Sequence, residues 1–286
     1  MKKLFLLATV VSVALFSCKD KGGDEPGGGT KAPTTYTAKA LIEWTTCAGC
    51  PYCPDGEIYA AKMATKYGAD VVYDVAMHNL YQGADAMATD ESKAFSDAWS
   101  AGNPTGAVNR ITGKCEGRDK WDARCNDVTT GDAKCGLAID ASTSTGLNKF
   151  KVKVKVGIGA ADLPAGKYYV ITYLTKKVMT GSGSGWDQAN GYNGTSTHPL
   201  YQKGNPLKNY PHGNVLFKVC GTMAGTLIDA ANMKAGSLSE YSYDVDLAGL
   251  DISDVDVTSF VSFKSVSAPY VENVQRVKLG ANKSFD

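Results

Sequence analysis

Three cysteines are regularly spaced in Cys47-Ala-Gly-Cys50-Pro-Tyr-Cys53-Pro, directly after the apolar run 38–44. Two cysteines separated by two residues, where a strand meets a helix, suit thiol–disulfide chemistry, because the helix N-terminus stabilises the reactive thiolate. Pro54 supports a helix start here, since a proline in the first turn lacks only an N–H that would have no helical partner. The pattern predicts a redox site in which Cys50 attacks, Cys53 resolves and Cys47 is an accessory thiol.

Two other interpretations of these cysteines are open. Cys50 with Cys53, or one of them with Cys47, would be a static disulfide, because the cysteines of exported proteins are usually oxidised. Alternatively, the three thiolates and His78 would form a Cys₃His zinc site. His78 ends the second predicted strand, so it either lies near the thiols or is simply a polar strand end.

Strand and helix patterns alternate between residues 36 and 133. The elements predicted from periodicity are strands at 37–44 and 71–77 and helices at 57–67, 90–100 and 120–128, with Asp90 as the N-cap of the second helix. A Cys-x-x-Cys pair beside this order predicts an α/β thioredoxin-like domain over 36–133, although its last strand has no clear pattern. Pro104 would then be the cis proline that faces the disulfide.

An all-β pattern begins after Cys135. Apolar residues alternate with lysines over 150–156, which is typical of a strand with one face in water. Further strands are predicted at 167–174, 214–220, 240–247, 257–265 and 273–279. Short strands separated by Gly- and Ser-rich turns predict an antiparallel β-sandwich domain over 134–286.

A long insertion at 180–213, rich in Gly, Asn, Tyr and His, separates two of these strands. Rigid aromatic side chains beside adaptable polar ones are typical of recognition loops, so the insertion is a candidate binding site for a protein or a glycan. The alternative is that its aromatic residues pack on the sandwich. The candidate ligand-binding residues are Trp186, Tyr192, Tyr201, Tyr210 and His212.

The N-terminus predicts export and a lipid anchor. Two lysines precede an apolar stretch at 4–16 that is too short to span a bilayer. The serine and Cys18 that follow resemble a lipoprotein signal-peptidase site, which predicts a signal peptide over 1–17 and lipidation of Cys18. The alternative is an ordinary secretory signal. Residues 18–35 have no apolar side chain larger than alanine or proline, so we expect a flexible tether.

Charge and motifs exclude several classes of function. Removing 1–17 takes two of the 30 basic residues and none of the 29 acidic ones, so the mature chain is nearly neutral and binding to nucleic acid is not expected. Neither a phosphate-binding Gly-rich motif nor HExxH is present. We therefore expect no cofactor and no resident metal.

Seven cysteines remain besides Cys18, an odd number, so at least one is free, metal-bound or paired outside the chain. Cys115, Cys125 and Cys135 surround the predicted domain junction. We predict that they form structural disulfides.

Several short motifs together resemble the Omp-28-related outer-membrane lipoproteins of Gram-negative bacteria. They are Leu-Ile-Glu-Trp-Thr at 41–45, Cys-Pro-Tyr-Cys-Pro-Asp-Gly at 50–56, Met-His at 77–78, Gly-Asn-Pro at 102–104, Val-Asn-Arg at 108–110 and Tyr-Pro-His-Gly-Asn-Val-Leu at 210–216. The resemblance implies a thioredoxin-like domain joined to an immunoglobulin-like sandwich on a lipid anchor. Cys47 and the spacing after Trp44 depart from the family pattern, which leaves open which cysteines pair.

Two functions are predicted for a lipoprotein on the periplasmic or the surface face of the outer membrane. The first is thiol–disulfide exchange with protein thiols or disulfides in the cell envelope. The second is non-enzymatic binding or adhesion to an envelope protein or a glycan, with the thioredoxin-like domain as a scaffold.

Overall fold

Residues 31–264 and 269–286 are described by the structure, a computed structural model, and they fold mainly into β-strands. The predicted signal peptide, Cys18 and most of the tether lie outside the described residues. The strands are β1 Ala40–Thr46, β2 Val72–His78, β3 Thr105–Val108, β4 Glu116–Gly117, β5 Cys135–Gly146, β6 Lys149–Ile158, β7 Lys167–Met179, β8 His212–Cys220, β9 Thr226–Leu227, β10 Leu238–Asp246, β11 Val255–Lys264, β12 Tyr270–Lys278 and β13 Asn282–Lys283. The α-helices are α1 Cys53–Tyr67, α2 Asp90–Trp99 and α3 Trp121–Thr129, and short 3₁₀ helices cover Arg118–Lys120 and Ala230–Met233.

β1 lies between β2 and β3 and carries helices on both faces. It pairs in parallel with β2 and antiparallel with β3, and β4 continues the sheet beyond β3. Ile42 and Trp44 pack with residues of α1 and α3, whereas Leu41 packs in the cluster that contains Phe95 of α2. All seven residues of β1 are buried, as expected for a strand with both faces covered.

Two helix starts differ from the predictions. α1 begins at Cys53, four residues before the predicted start, with Pro54 in its first turn. The N-cap of α2 is Thr89 and not Asp90, because the Thr89 hydroxyl accepts a hydrogen bond from the Ser92 N–H at 3.1 Å. Ser92 in turn accepts the Thr89 N–H at 2.9 Å, which completes a capping box.

The strands that follow Cys135 lie in two facing layers. β10, β6, β5 and β13 form a four-stranded antiparallel sheet. Its apolar face packs on β7, β11 and β12 in one core, where Val154 and Val156 meet Val170, Val257 and Val261.

A single nine-stranded sheet contains strands from both predicted halves. Its order is β12-β11-β7-β8-β2-β1-β3-β4, and β9 pairs with β7. The connection is the parallel pairing of β2 with β8 at Ala76 and Val215. The Asn109 side chain adds a second link, because it accepts the Leu41 N–H at 2.6 Å and donates to the Val271 carbonyl at 3.1 Å. The predicted domain boundary between residues 133 and 134 therefore separates two parts of the sequence, but both parts contribute strands to this sheet.

The predicted tether extends too far toward the folded chain. Ala32 is buried and its N–H donates to the Gly236 carbonyl at 3.3 Å. The Thr34 carbonyl accepts the Ala160 N–H at 3.0 Å. Small side chains and these backbone hydrogen bonds allow residues 32–34 to lie against the four-stranded sheet, so the assignment of these residues to a flexible tether was wrong.

Among residues 31–264 and 269–286, no helix combines the length and the apolar character needed to cross a membrane.

Candidate functional site

Two successive turns carry the three cysteines from the end of β1 into α1. The Cys50 N–H donates to the Cys47 carbonyl at 3.0 Å, and the Cys53 N–H donates to the Cys50 carbonyl at 3.3 Å. Cys50 and Cys53 form a disulfide with a Cα–Cα distance of 5.4 Å, and Cys47 is a free thiol. The three side chains form one contact cluster and are 0–1 % exposed. The structure therefore places a disulfide and a thiol together at the helix N-terminus, which we call the cysteine turn (residues 47–53).

The turn before β3 lies against the first turn of α1. The peptide bond between Asn103 and Pro104 is cis, as predicted. Pro104 packs so closely on Gly56 that a Cβ atom there would lie 2.9 Å from the Pro104 Cβ. The Asn103 amide donates to the Cys47 sulfur at 3.4 Å. The turn that contains Asn103 and Pro104 therefore contacts both α1 and Cys47.

His78 acts on the cysteine turn through Asp85. The His78 Nδ1 lies 2.8 Å from the Asp85 carboxylate, and the same oxygen accepts the Ala48 N–H at 2.7 Å. Burial alone would raise the pKa of Asp85, but hydrogen bonds from His78, Ala48 and Met87 and the charge of His78 lower it. A carboxylate thus holds the backbone next to Cys47. Sequence patterns did not identify Asp85, which lies in the loop after β2.

The backbone of the cysteine turn fits closely against the same loop. A Cβ atom on Gly49 would overlap the carbonyl oxygen of Gln82, so only glycine fits there. The Cys47 thiol donates to the Gln82 side-chain oxygen at 3.4 Å. Burial raises the pKa of Cys47, and the hydrogen bond from Asn103 offsets part of that rise.

Residues 188–191 of the insertion, here the covering segment, lie directly on the cysteine turn. The Gln188 side-chain amide donates to the Cys50 carbonyl at 2.8 Å. The Ala189 N–H donates to the Ala48 carbonyl at 2.8 Å, and the Gly191 N–H donates to the Pro51 carbonyl at 2.7 Å. This contact explains why a disulfide on a turn is buried.

An ion-pair cluster holds the insertion to α1 beside the disulfide. Asp55 accepts hydrogen bonds from Arg118 and from the His198 Nε2, the latter at 3.0 Å. Arg118 also donates to the Tyr192 hydroxyl at 2.8 Å, and the Tyr192 ring stacks on His198 at 3.8 Å. Burial opposes the charge on Asp55, yet these two partners lower its pKa. An acidic residue in the first turn of a helix was the one sequence signal for this cluster.

Of the five residues predicted to bind a ligand, four are packed inside the protein and one is exposed. Trp186 packs against Ala48, Met87 and Val215. The Tyr210 hydroxyl donates to the Glu57 carboxylate at 2.9 Å, and burial raises the pKa of Glu57 to about 7. The exception is Tyr201, which is 36 % exposed. Tyr192 stacks on His198, and His212 is buried. Four of the five residues are therefore packed, as in the alternative interpretation, but mainly on the insertion, α1 and the region of the cysteine turn and not on the sandwich.

His212 joins the insertion to the histidine beside the cysteine turn. Its Nε2 lies 2.8 Å from the Trp186 carbonyl, and its ring meets the His78 ring edge-on with centroids 5.4 Å apart. Burial lowers the pKa of His212 to about 4, and the Trp186 hydrogen bond opposes this only in part.

Acid should weaken the attachment of the insertion through His212. The unfolded histidine takes up a proton near pH 6.5 and the folded one near pH 4, so the stabilisation is complete above pH 6.5 and is lost as the pH falls through 4. Between pH 7 and pH 4.5 we expect the free energy of unfolding to fall by about 1–2 kcal/mol less in His212→Gln than in the wild type, because glutamine does not titrate. The glutamine amide can still donate to the Trp186 carbonyl. Urea unfolding of both proteins at pH 7, 5.5 and 4.5 measures it. Parallel pH profiles for the two proteins would contradict the role of His212.

The remaining cysteines do not form the predicted disulfides. Cys115, Cys125 and Cys135 are free and buried, each in a different core cluster, and Cys220 is also free. Buried in apolar surroundings, a cysteine packs as a small apolar side chain, and burial raises the pKa of each of these thiols. In the described residues no three His, Cys, Asp or Glu side chains are grouped to hold a metal ion, and the Cys50–Cys53 disulfide leaves neither thiolate to ligate zinc.

Fold and site together define a β-rich protein with a covered disulfide at the start of its first helix. The chain belongs to the Omp28 family, described as outer membrane protein Omp28, which matches residues 92–283. This is a family of outer membrane proteins, so the resemblance and the predicted localisation at the outer membrane are confirmed. The match begins after the cysteine turn and gives no information about it.

Two solved structures are similar to this chain. HBP35 of Porphyromonas gingivalis matches with a TM-score of 0.63 and 18 % identity over 86 % of this chain and 76 % of that chain, which shows similarity of fold alone. A domain of the outer membrane lipoprotein Omp28 from Porphyromonas gingivalis matches with a TM-score of 0.31 and 18 % identity, over 51 % of this chain and 88 % of that chain. No curated protein matches the sequence.

Proposed function

We propose that this outer membrane lipoprotein exchanges thiols and disulfides with envelope proteins at Cys50 and Cys53, anchored through a lipid on Cys18. The observation that supports it most is the contact cluster of Cys47, Cys50 and Cys53 at the N-terminus of α1, where the helix dipole favours a thiolate. We also propose that residues 36–133 are a thioredoxin-like unit and 134–286 an immunoglobulin-like sandwich. The parallel β1–β2 pair with α1 between, and the two facing layers of the second half, support this division.

In the reduced protein the Cys50 thiolate attacks one sulfur of a substrate disulfide, and the other substrate sulfur leaves as a thiolate. The Cys53 thiolate then attacks the Cys50 sulfur of this mixed disulfide, which releases the second substrate thiolate. The substrate gains two electrons, and the Cys50–Cys53 disulfide forms. Because Cys50 is 0 % exposed, the covering segment must move before a substrate can reach it.

Cysteine variants test this proposal in the envelope. Cys53→Ser should accumulate mixed disulfides with other proteins, because the resolving thiol is missing, whereas Cys50→Ser should accumulate almost none. Non-reducing gels of cells quenched in acid and alkylated measure the adducts. Cys220→Ser, a buried free cysteine far along the chain, is the matched control and should behave as the wild type. Negligible adducts in Cys50→Ser, in Cys53→Ser and in the Cys47→Ser/Cys53→Ser double variant alike would exclude the exchange function.

Non-enzymatic binding is the second candidate, and the burial of the disulfide favours it. A sulfur pair that residues 188–191 cover with three hydrogen bonds is protected as a structural cross-link would be. Tyr201 and Tyr52, which are 36 % and 53 % exposed, offer aromatic surface for a protein or a glycan. The reduction potential separates the two candidates: a value below about −300 mV indicates a structural disulfide, and a higher value an exchangeable one.

A further inference from the structure

The cysteine turn gives Cys50 two neighbours in equivalent positions. The hydrogen bond from the Cys50 N–H to the Cys47 carbonyl closes the same four-residue turn as the one from the Cys53 N–H to the Cys50 carbonyl. Such a turn keeps its first and fourth Cα atoms within about 7 Å. The Cys50–Cys53 pair, at 5.4 Å, shows that this geometry accommodates a disulfide, for which Cα atoms lie about 4.4–6.8 Å apart.

The third thiol is held in contact with the disulfide and away from water. Cys47 is 0 % exposed and belongs to the same contact cluster as Cys50 and Cys53. Its sulfur accepts a hydrogen bond from the Asn103 amide at 3.4 Å, which offsets part of the rise in the Cys47 pKa that burial causes. While the covering segment is in place, Cys47 is a nucleophile that already lies beside the disulfide.

We propose that Cys47 exchanges with the Cys50–Cys53 disulfide, so that Cys50 is the shared sulfur of two alternative disulfides. Cys47 loses its thiol proton, and its sulfur attacks the Cys50 sulfur. The bond from Cys50 to Cys53 breaks, and Cys53 leaves with the electron pair and takes up a proton. One disulfide and one thiol are present before and after, so the step needs no external oxidant or reductant.

The same chemistry makes Cys47 a second resolving thiol for an adduct on Cys50, a role that rests on the proposed exchange function. Attack of Cys47 on a mixed disulfide at Cys50 releases the substrate thiolate and leaves a Cys47–Cys50 disulfide. The internal exchange itself does not depend on any substrate.

Purified Cys53→Ser protein tests the internal exchange. After equilibration with a glutathione redox buffer, acid quenching and alkylation in denaturant, it should carry two fewer alkyl groups than the same protein after reduction. Cleavage on both sides of 45–52 should yield this peptide with its internal Cys47–Cys50 disulfide. The matched control is the Cys47→Ser/Cys53→Ser protein, which should form no internal disulfide and lose at most one alkyl group, to a glutathione adduct on Cys50. If Cys53→Ser keeps Cys47 and Cys50 fully alkylated in buffers that oxidise the wild type, the proposal is wrong.

Adducts in the envelope test the resolving role separately. Adding Cys47→Ser to Cys53→Ser should raise the yield of mixed disulfides severalfold, because both resolving thiols are then missing. Equal yields in the single and double variants would overturn this role. If no variant forms adducts while purified Cys53→Ser forms the Cys47–Cys50 disulfide, the exchange function fails and the internal exchange stands.

Discussion

Replacing Gln188 with alanine should speed reduction of the Cys50–Cys53 disulfide by dithiothreitol about 10- to 100-fold. The Gln188 amide, which is 2 % exposed, satisfies the buried Cys50 carbonyl at 2.8 Å. Without it the Cys50 carbonyl keeps only the 3.3 Å hydrogen bond from the Cys53 N–H, and the Ala189 carbonyl loses a 3.1 Å hydrogen bond from the same amide. Losing two such hydrogen bonds costs the closed state about 1–3 kcal/mol, whereas water can replace both once the covering segment moves away. The fraction of molecules in which the covering segment has moved away therefore rises about 10- to 100-fold, and the rate of disulfide reduction rises with it.

The insertion provides a matched control for this experiment. Among the residues that the structure describes, the Gln202 side chain hydrogen-bonds only to the exposed Tyr201 hydroxyl, so the disulfide of Gln202→Ala should be reduced at the wild-type rate. Alkylation of quenched samples followed by mass spectrometry measures both rates at one dithiothreitol concentration. A Gln188→Ala rate within twofold of the Gln202→Ala rate would show that the covering segment does not control access to the disulfide.

Local patterns in the sequence predicted the parts of the site that lie close together along the chain. The positions of Cys50, Cys53 and Pro54 indicated a cysteine pair near a helix start, because spacing and first-turn chemistry are local properties. They did not determine which cysteines pair, and the helix begins at Cys53, four residues before the predicted start. The cis bond before Pro104 required the fold as an additional premise, and it was confirmed.

The covering of the site could not be predicted in this way. Ala189 and Gly191 contact the cysteine turn through backbone N–H groups, which every residue except proline has, so no side-chain pattern marks them. The predicted disulfides at Cys115, Cys125 and Cys135 failed for a related reason. A count of cysteines cannot separate a pair from thiols that pack in different cores.

The continuous sheet did have a signal in the sequence. Residues 71–77 read Val-Val-Tyr-Asp-Val-Ala-Met, which is apolar except for one aspartate and lacks the alternation of a strand that has one face in water. In the structure all seven residues of β2 are buried. Such a run is typical of a strand covered on both faces. The partner on its open edge, β8, lies more than 130 residues further along the chain, and only the three-dimensional structure identifies it.

Replacing Arg110 with methionine should cost about 3–5 kcal/mol of stability, because it leaves a buried carboxylate without its partner. The Arg110 guanidinium donates to both oxygens of Glu43, at 2.6 and 2.7 Å, and Glu43 is 0 % exposed. The Tyr173 hydroxyl, from β7, donates to Glu43 at 2.9 Å. Glu43, Arg110 and Tyr173 therefore join β1 to a strand beyond the predicted domain boundary. We expect Arg110→Met to unfold in one cooperative transition at a lower urea concentration than the wild type, and not to lose the structure of one predicted domain alone.

Two further variants separate an unpaired charge from lost packing. Adding Glu43→Gln to Arg110→Met should restore a large part of the lost stability, since a neutral amide is far less costly to bury than a lone carboxylate. Arg124→Met is the matched control: it removes a two-bond pair with Glu116 at 2.9 and 3.1 Å, but that pair is partly exposed, so the loss should stay below about 1 kcal/mol. If Arg110→Met costs no more than Arg124→Met, or if Glu43→Gln gives no recovery, the buried ion pair does not hold the two parts of the sheet together. A second transition in the Arg110→Met curve would instead show that the halves unfold independently despite their shared strands.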